Sequence, residues 1–349
     1  MTDEGEFFDL LEDASVHCMH IVVDKPSGLV ALIAVDGLHI GPVFGGVRTK
    51  TYPRVADAVD DVANLAQAMT LKCAIAGLPA GGAKTVILED RITDRTAAFK
   101  ALGRNIQNLR GLYHCAGDLG TTGTDLEIMS EVCDYVATLG STLGVVTAST
   151  VMNGIRAALG VDRDGSLEGR VAAVQGCGLI GSGVARKLAE AQCEVILSDL
   201  DMDRAEQLAA SLKARTAEPD AILTVDADIL SPCAVGGVID LDIVPHLKAK
   251  VICGGANNQL AAPEVARALM KADIRFVPDF LSSSGAVIIG VCKELGLGNP
   301  QPYLDQTYDT AKAIFARADE TGQTPLAAAQ TLARSQGVSV TPDLTIMES

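Results

Sequence analysis

Apolar residues recur along this chain at more than one period, and the change of period divides it. Residues 16–23 (VHCMHIVV) and 29–35 (LVALIAV) are apolar runs of strand length, so the pattern predicts two strands joined by a turn at 24–28 (DKPSG). The run 41–46 (GPVFGG) predicts a break. Over 54–71 the apolar positions Val55, Val59, Val62, Leu65 and Met69 keep helical spacing. A Gly-rich segment, a short strand at 85–88 (TVIL) and a helix near 96–109 follow. Residues 117–123 (GDLGTTG) predict a loop, and 124–138 a helix with Thr124 or Asp125 as N-cap. Residues 140–144 (GSTLG) predict a hinge leading into a helix over 145–159.

From Val171 the pattern becomes strand, helix, strand. The strands predicted are 171–175, 194–198, 227–231 and 249–253, and the last helices fall near 302–318 and 324–335. Such alternation predicts a parallel sheet covered on both faces. The fold class read from the sequence is therefore α/β in two domains: an N-terminal α/β domain over residues 1–139 and a doubly wound domain over 140–319. A length of 349 residues agrees with about two domains.

Composition narrows the function classes. A formal charge of −16 disfavours nucleic acid as a partner, because such a surface repels phosphate. The nine cysteines are odd in number, form no C-x-x-C and sit largely in apolar or Gly-rich runs, which reads as a reducing, cytoplasmic compartment. The acidic N-terminus lacks the basic region of a signal peptide, and no uninterrupted apolar stretch has the ~18 residues that a membrane span needs.

The strongest motif is Gly176-Cys177-Gly178-Leu179-Ile180-Gly181, a G-x-G-x-x-G that follows an apolar strand and opens a helix through Ser182. In a Rossmann fold these glycines make the tight turn, leave room for a pyrophosphate and let helix and strand pack closely. The helix N-terminus then offers free N–H groups to the phosphates. About twenty residues on, at the end of the second strand, stands Asp199, where a carboxylate bonds ribose hydroxyls and repels a 2′-phosphate. That favours NAD over NADP, although Arg204 lies close by in sequence.

Between Asp61 and Glu89 the charged side chains are Lys72 and Lys84 alone, in MTLKCAIAGLPAGGAKTVIL. Two ammonium groups in apolar sequence are costly to bury without a negative ligand. If both enter one cleft, each lowers the other's pKa, and one can act as a base while the other holds a carboxylate. Solvated lysines at segment ends are the plainer reading. The segment 77–85 (GLPAGGAKT) is no phosphate-binding P-loop, since Ala83 separates the glycine from the lysine. Asp118, in a Gly/Thr loop, is either a turn former or a proton carrier. His17 and His20 would point to opposite faces of a strand, so no metal site is predicted. Asn257 and Asn258 follow a strand where a doubly wound sheet places ligand contacts, or form an Asn-rich turn.

Taken together, GPVFGGVR (41–48), the two-lysine segment (69–87), GDLGTT (117–122), VVTAS (145–149), VAAVQGCGLIG (171–181), SPCAVGGVI (231–239), GGANNQL (254–260) and VPDF (277–280) occur in one order. With them the chain resembles the glutamate, leucine, phenylalanine and valine dehydrogenase superfamily, and within it the leucine/valine branch. The resemblance implies NAD-dependent, reversible oxidative deamination of an apolar, branched-chain L-amino acid to a 2-oxo acid and ammonium. It implies an N-terminal catalytic and oligomerising domain, on which the C-terminal helices of about 320–349 pack back, and a homo-oligomer, dimer or octamer. It assigns Lys84 and Asp118 to catalysis and Lys72 to the substrate carboxylate. Gly45, Phe44, Ala116, Val287 and Gly290 then belong to the substrate pocket, and Thr147, Asn257 or Asn258 to the nicotinamide side of the cofactor.

Two departures stand out. Gly117 replaces the acid that commonly precedes the catalytic aspartate, and 283–286 (SSGA) replaces an Asn-Ala-Gly-Gly run. An aromatic or otherwise specialised amino-acid dehydrogenase, and an NAD-binding sensor without turnover, are the rival readings.

Overall fold

A computed structural model describes residues 4–137 and 142–335. Of these, 4–74 and 78–137 form one compact unit, and 75–77 and 142–335 form a second.

The first unit is a five-stranded sheet with helices on both faces. Its strands are β1 (Cys18–Asp24), β2 (Leu29–Asp36), β3 (Val43–Lys50), β4 (Gly81–Leu88) and β5 (Tyr113–Gly117), in the order β1-β2-β4-β3-β5. β1, β2 and β4 run antiparallel in turn, whereas β4-β3-β5 are parallel. The helices are α1 (Glu4–Asp13), α2 (Val55–Ile75), α3 (Arg95–Asn108) and α4 (Gly123–Ser130). Period-two alternation sends Ala83 and Ile87 of β4 toward Phe99 and Leu102 of α3, and Val86 and Leu88 toward Val59 and Val62 of α2. All of β4 is buried, which is why its sequence is apolar on both faces apart from Lys84 and Thr85.

Three local expectations are corrected here. The run 41–46 is no break, because Phe44, Gly45 and Gly46 lie inside β3. A side chain at Gly45 would overlap the backbone carbonyl of Ala83, so the glycine is what lets β3 lie against β4. The helix after the Gly/Thr loop is capped by Thr122. Its hydroxyl accepts from the Asp125 N–H while the Asp125 carboxylate accepts from the Thr122 N–H, which is a capping box. That helix stops at Ser130 because the chain returns to β5, where the Cys115 N–H donates to Tyr135 and the Ala137 N–H to Cys115. β5 itself, too short to show a period, escapes the sequence pattern.

The second unit has a six-stranded, all-parallel sheet. Its strands are β6 (Val171–Gln175), β7 (Glu194–Ser198), β8 (Arg215–Thr216), β9 (Ile229–Pro232), β10 (Val251–Ile252) and β11 (Arg275–Phe276), in the order β11-β10-β9-β6-β7-β8. Counted from β6 this is the 3-2-1-4-5-6 order of a doubly wound dinucleotide fold, with its switch point between β6 and β9. The helices are α5 (Thr142–Leu159), α6 (Leu179–Glu190), α7 (Met202–Leu212), α8 (Pro263–Lys271), α9 (Asp279–Ser282), α10 (Gly285–Glu294), α11 (Gln301–Thr321) and α12 (Pro325–Ser335). Alternate residues feed two cores: Ala172, Val174, Val195 and Leu197 pack with α5, α6 and α7, and Ala173, Ile196, Leu230 and Ile252 with α8.

Of the predicted hinge, 142–144 belong to α5 and 140–141 lie outside the described residues. α12 packs with α11 inside the second unit. Residues 336–349, the rest of the segment expected to return to the first domain, lie outside the described residues. Among the described residues no helix is long and apolar enough to cross a membrane, and no group of three or more His, Cys, Asp or Glu is arranged to hold a metal ion.

Candidate active site

In the first unit, Lys84 on β4 and Asp118, one residue past β5, are separated by the whole width of β3. They meet nonetheless, with Lys84 Nζ 3.1 Å from Asp118 Oδ2. Gly46 of β3 makes this possible. A Cβ there would lie 2.9 Å from Asp118 Cβ and 3.2 Å from Lys84 Nζ, where it would wedge into the pair.

The same carboxylate oxygen accepts a hydrogen bond from Arg48 Nε at 2.8 Å. Arg48 Nη1 then donates to both oxygens of Asp61 on α2, at 3.1 Å each. The Tyr52 hydroxyl also donates to Asp61. Arg48 (3% exposed), Lys84 (7%) and Asp61 (10%) are sealed in, and Asp118 (22%) is the open end of the chain of contacts. Its other oxygen, Oδ1, takes no bond from the described residues.

Burial pushes the Lys84 ammonium below the usual lysine range. Asp118 opposes the shift, Arg48 adds to it, and Asp61 opposes it weakly. Burial alone would raise the Asp118 carboxyl, but the charges of Lys84 and Arg48 and their hydrogen bonds outweigh it and hold the group below the carboxylate range. Burial acts to deprotonate Arg48, yet Asp118 and Asp61 keep it charged. Burial and Asp61 hold the Tyr52 phenol protonated. A lysine whose charged form is disfavoured, beside a carboxylate kept ionised, can both take up and give back a proton.

Arg48, Asp61 and Tyr52 were not singled out in the sequence. Arg48 ends the GPVFGGVR run and Asp61 sits in an ordinary helical pattern, and nothing local links them. The neighbouring cation that depresses Lys84 is Arg48. Lys72, by contrast, is a partly exposed residue in the last turn of α2. Phe44 stacks on His114 with centroids 4.7 Å apart, His114 meets Tyr135 edge-on, and Ala116 pairs with Gly46 across the sheet.

In the second unit the glycine-rich loop joins β6 to α6. Gly176 has φ +91°, a left-handed backbone that favours glycine, and its N–H donates to Ser198 of β7. A side chain at Gly181 would overlap the Gly176 carbonyl, so the third glycine brings helix and loop together. A Cβ at Gly178 would meet nothing within 4 Å. Gly178 is the N-cap of α6 and no side chain caps it, so the N–H groups of Leu179, Ile180 and Gly181 have no side-chain cap, while that of Ser182 donates to the Gly178 carbonyl at 2.9 Å.

Asp199, just past β7, has both oxygens engaged. Oδ2 accepts from the Cys177 N–H at 2.7 Å, and Oδ1 accepts from the Asp201 N–H at 2.9 Å with Arg204 at 3.5 Å. Burial would raise this carboxyl, but the two N–H groups and Arg204 hold it low and ionised. Burial pushes the Cys177 thiol up to about 11, so it is a packing group rather than a nucleophile.

An open, uncapped helix N-terminus beside a fixed acid at the switch point fits the pyrophosphate and ribose of a dinucleotide. Elsewhere in this unit the Thr147 hydroxyl on α5 is buried with no hydrogen-bond partner among the described residues. Ser283 donates to Asn257 Oδ1 at 3.1 Å, and Asn258 adopts φ +51°. Val287 and Gly290 lie one turn apart on α10, and a Cβ at Gly290 would meet nothing within 4 Å.

Such a loop in a doubly wound sheet, in a chain that also holds a buried lysine–aspartate pair, marks a dehydrogenase of the dinucleotide-dependent class. The sequence model of the Glu/Leu/Phe/Val dehydrogenase dimerisation domain matches residues 14–135, and that of Glutamate/Leucine/Phenylalanine/Valine dehydrogenase matches 197–293. The leucine dehydrogenase of Bacillus cereus is 36% identical over 96% of this chain and 94% of its own. The valine dehydrogenase of Streptomyces virginiae is 37% identical over 90% and 91%. Among solved structures, an L-tryptophan dehydrogenase from Nostoc punctiforme superposes with a TM-score of 0.83 at 31% identity, over 94% of this chain and 98% of that one. The chain belongs to the Glu/Leu/Phe/Val dehydrogenase family and is an amino-acid dehydrogenase, an oxidoreductase whose substrates are small amino and 2-oxo acids.

Proposed function

We propose that the protein catalyses the reversible, NAD-dependent oxidative deamination of an apolar, branched-chain L-amino acid to its 2-oxo acid and ammonium. The observation that carries this reading is the buried Lys84–Asp118 pair. The similarity to leucine and valine dehydrogenases supports the substrate class.

In this reading the nicotinamide, when bound, accepts a hydride from the substrate α-carbon. Gly176 to Ser182 hold its phosphates, Asp199 its adenosine ribose, and Thr147, Asn257 or Asn258 its other end. Lys72 holds the substrate carboxylate. Asp118, ionised and with no bond to Oδ1 among the described residues, takes a proton from the substrate ammonium. Lys84 takes a proton from the water that replaces nitrogen on the α-carbon and releases it to solvent; Asp118 returns its proton to the departing amine, and the hydroxyl proton left on the α-carbon goes to the leaving ammonia as the carbonyl forms. The balance is amino acid, NAD and water giving 2-oxo acid, ammonium, NADH and a proton.

Phe44, Gly45, Ala116, Val287 and Gly290 include no cation, which disfavours a side-chain carboxylate such as glutamate's. The first unit is the catalytic and oligomerising domain of a homo-oligomer and the second binds the dinucleotide. The match to a dimerisation domain over 14–135 supports the former.

The test is NADH formation at alkaline pH against a panel of L-amino acids, with NADP beside NAD. Turnover on valine or leucine is expected. Turnover on aromatic substrates alone would make the chain an aromatic amino-acid dehydrogenase, a second reading that the likeness to an L-tryptophan dehydrogenase favours. Silence across the panel with intact NADH binding would leave a sensor. Asp199→Asn keeps an acceptor for the Cys177 N–H but removes the charge that repels a 2′-phosphate. It is expected to narrow the preference for NAD on the order of tenfold, the scale of one charged hydrogen bond. An unchanged kcat/KM ratio for the two dinucleotides would mean that Asp199 does not read the ribose.

A further inference from the structure

We propose that Arg48 positions the proton carrier of this site: locked to Asp61, its guanidinium fastens one oxygen of Asp118 and leaves the other for the substrate nitrogen. The inference rests on the reading of Asp118 as proton carrier given above.

Four elements converge to make the arrangement: β3 supplies Arg48, α2 Asp61, β4 Lys84, and the turn after β5 Asp118. Arg48 spends Nε on Asp118 and Nη1 on both oxygens of Asp61, and Tyr52 binds Asp61 from another side, so the guanidinium plane has no room to turn. A fork of fixed geometry spans the two carboxylates and sets their planes, whereas the rotating donors of a lysine ammonium would fix neither.

Lys84 and Arg48 both use Oδ2 of Asp118, at 3.1 and 2.8 Å. The two cations draw the negative charge to one oxygen and set the carboxylate plane. The remaining oxygen belongs to the most exposed residue of the four. Arg48 does not touch the reacting atoms in this scheme; it acts through Asp118 and is a positioning residue.

The charges around the pair give the proposal a signature that a purely structural ion-pair network lacks. Lys84 feels Asp118, Arg48 and Asp61; Asp118 feels Lys84 and Arg48; Tyr52 stands beside Asp61. Without Arg48, Asp118 loses a cation and a hydrogen bond that favour its ionised form, so the acid limb of the pH–rate profile moves up. Lys84 loses a like charge, so its limb also moves up. Without the Asp61 charge Lys84 loses an attraction, and its limb moves down.

The experiment compares Arg48→Met, Arg48→Lys, Asp61→Asn and Asp118→Asn with the wild type. It reads kcat, KM and the pH profile of kcat/KM in deamination, with dinucleotide affinity titrated separately. Arg48→Met is expected to lower kcat on the order of 10²-fold, the loss that a misplacement of about 1 Å brings, with both limbs displaced upward. Arg48→Lys should return the limbs toward wild type while the rate stays low. Asp61→Asn should move the Lys84 limb down. Dinucleotide affinity should hold in all of them.

If Arg48→Met does not fold, Arg48→Lys and Asp61→Asn carry the test. A kcat close to wild type in the Arg48 variants, a lost rate with unmoved limbs in Arg48→Met, or an unmoved Lys84 limb in Asp61→Asn overturns the proposal while a dead Asp118→Asn leaves the site reading standing. A fully active Asp118→Asn removes both.

Discussion

Lys84→Ala is expected to cut kcat for deamination on the order of 10³–10⁴-fold, the upper range for loss of a positioned acid–base group, while NADH binds as in the wild type. The loss has two sources. Among the described residues the cations on Asp118 are Lys84 and Arg48; burial and Arg48 disfavour the ammonium form of Lys84, whereas Arg48 is kept charged and cannot take its place as a base. Asp118 also loses one of the two cations on Oδ2, which moves its carboxyl back up from its depressed position. Arg48 still holds Asp118 at 2.8 Å, so the site should be maimed rather than scattered. Steady-state rates against an NADH fluorescence titration check the split. A kcat like that of the wild type would remove Lys84 from the mechanism. Loss of NADH binding along with turnover would point to misfolding instead.

Gly45→Ala is expected to destabilise the protein by about 3 kcal/mol or more, the upper range for overpacking a filled interior. The added methyl would coincide with the Ala83 carbonyl, which is backbone and cannot swing aside. β3 and β4 would have to part at the residue before Lys84, on the two strands that carry Arg48 and Lys84. A thermal melt should show a fall of roughly 6–12 °C, at a few degrees per kcal/mol for chains of this order of size. Gly290→Ala is the contrast. It places a methyl in open space on a helix, where alanine is the better residue by about 0.5–1 kcal/mol, so its melt should hold or rise. Equal melts for the two variants would contradict the close approach of β3 to β4.

The two predictions draw on different kinds of legibility. Gly176-Cys-Gly178-Leu-Ile-Gly181 and Asp199 are joined by one strand–helix–strand unit, so spacing along the chain already implies their meeting, and the structure places Asp199 on the Cys177 N–H. In the two-lysine segment charge stands in apolar sequence, where it is costly, which marks a residue without saying what it faces. Gly45 and Gly46 read as a break because glycine weakens a strand when only local propensity is weighed. In the sheet they are required, since one admits a neighbouring backbone and the other an ion pair. The apolar pattern after Asp118 extends the helix past its end at Ser130 because β5, five residues long, leaves no periodic trace yet claims the backbone hydrogen bonds of the returning chain.

Local information was enough for the alternation of strands and helices, the dinucleotide loop with its acid, and the isolation of Lys84 in apolar sequence. Each rests on residues close in sequence, whose spacing and polarity have one physical reading. Tertiary structure alone decided that Lys84 reaches Asp118 across an intervening strand, that Gly46 opens the way, and that Arg48, Asp61 and Tyr52 stand behind the pair. The strand order β4-β3-β5 and the packing of α2 on that face bring these groups together, and long-range pairing of this kind leaves no mark on the neighbours of any one of them.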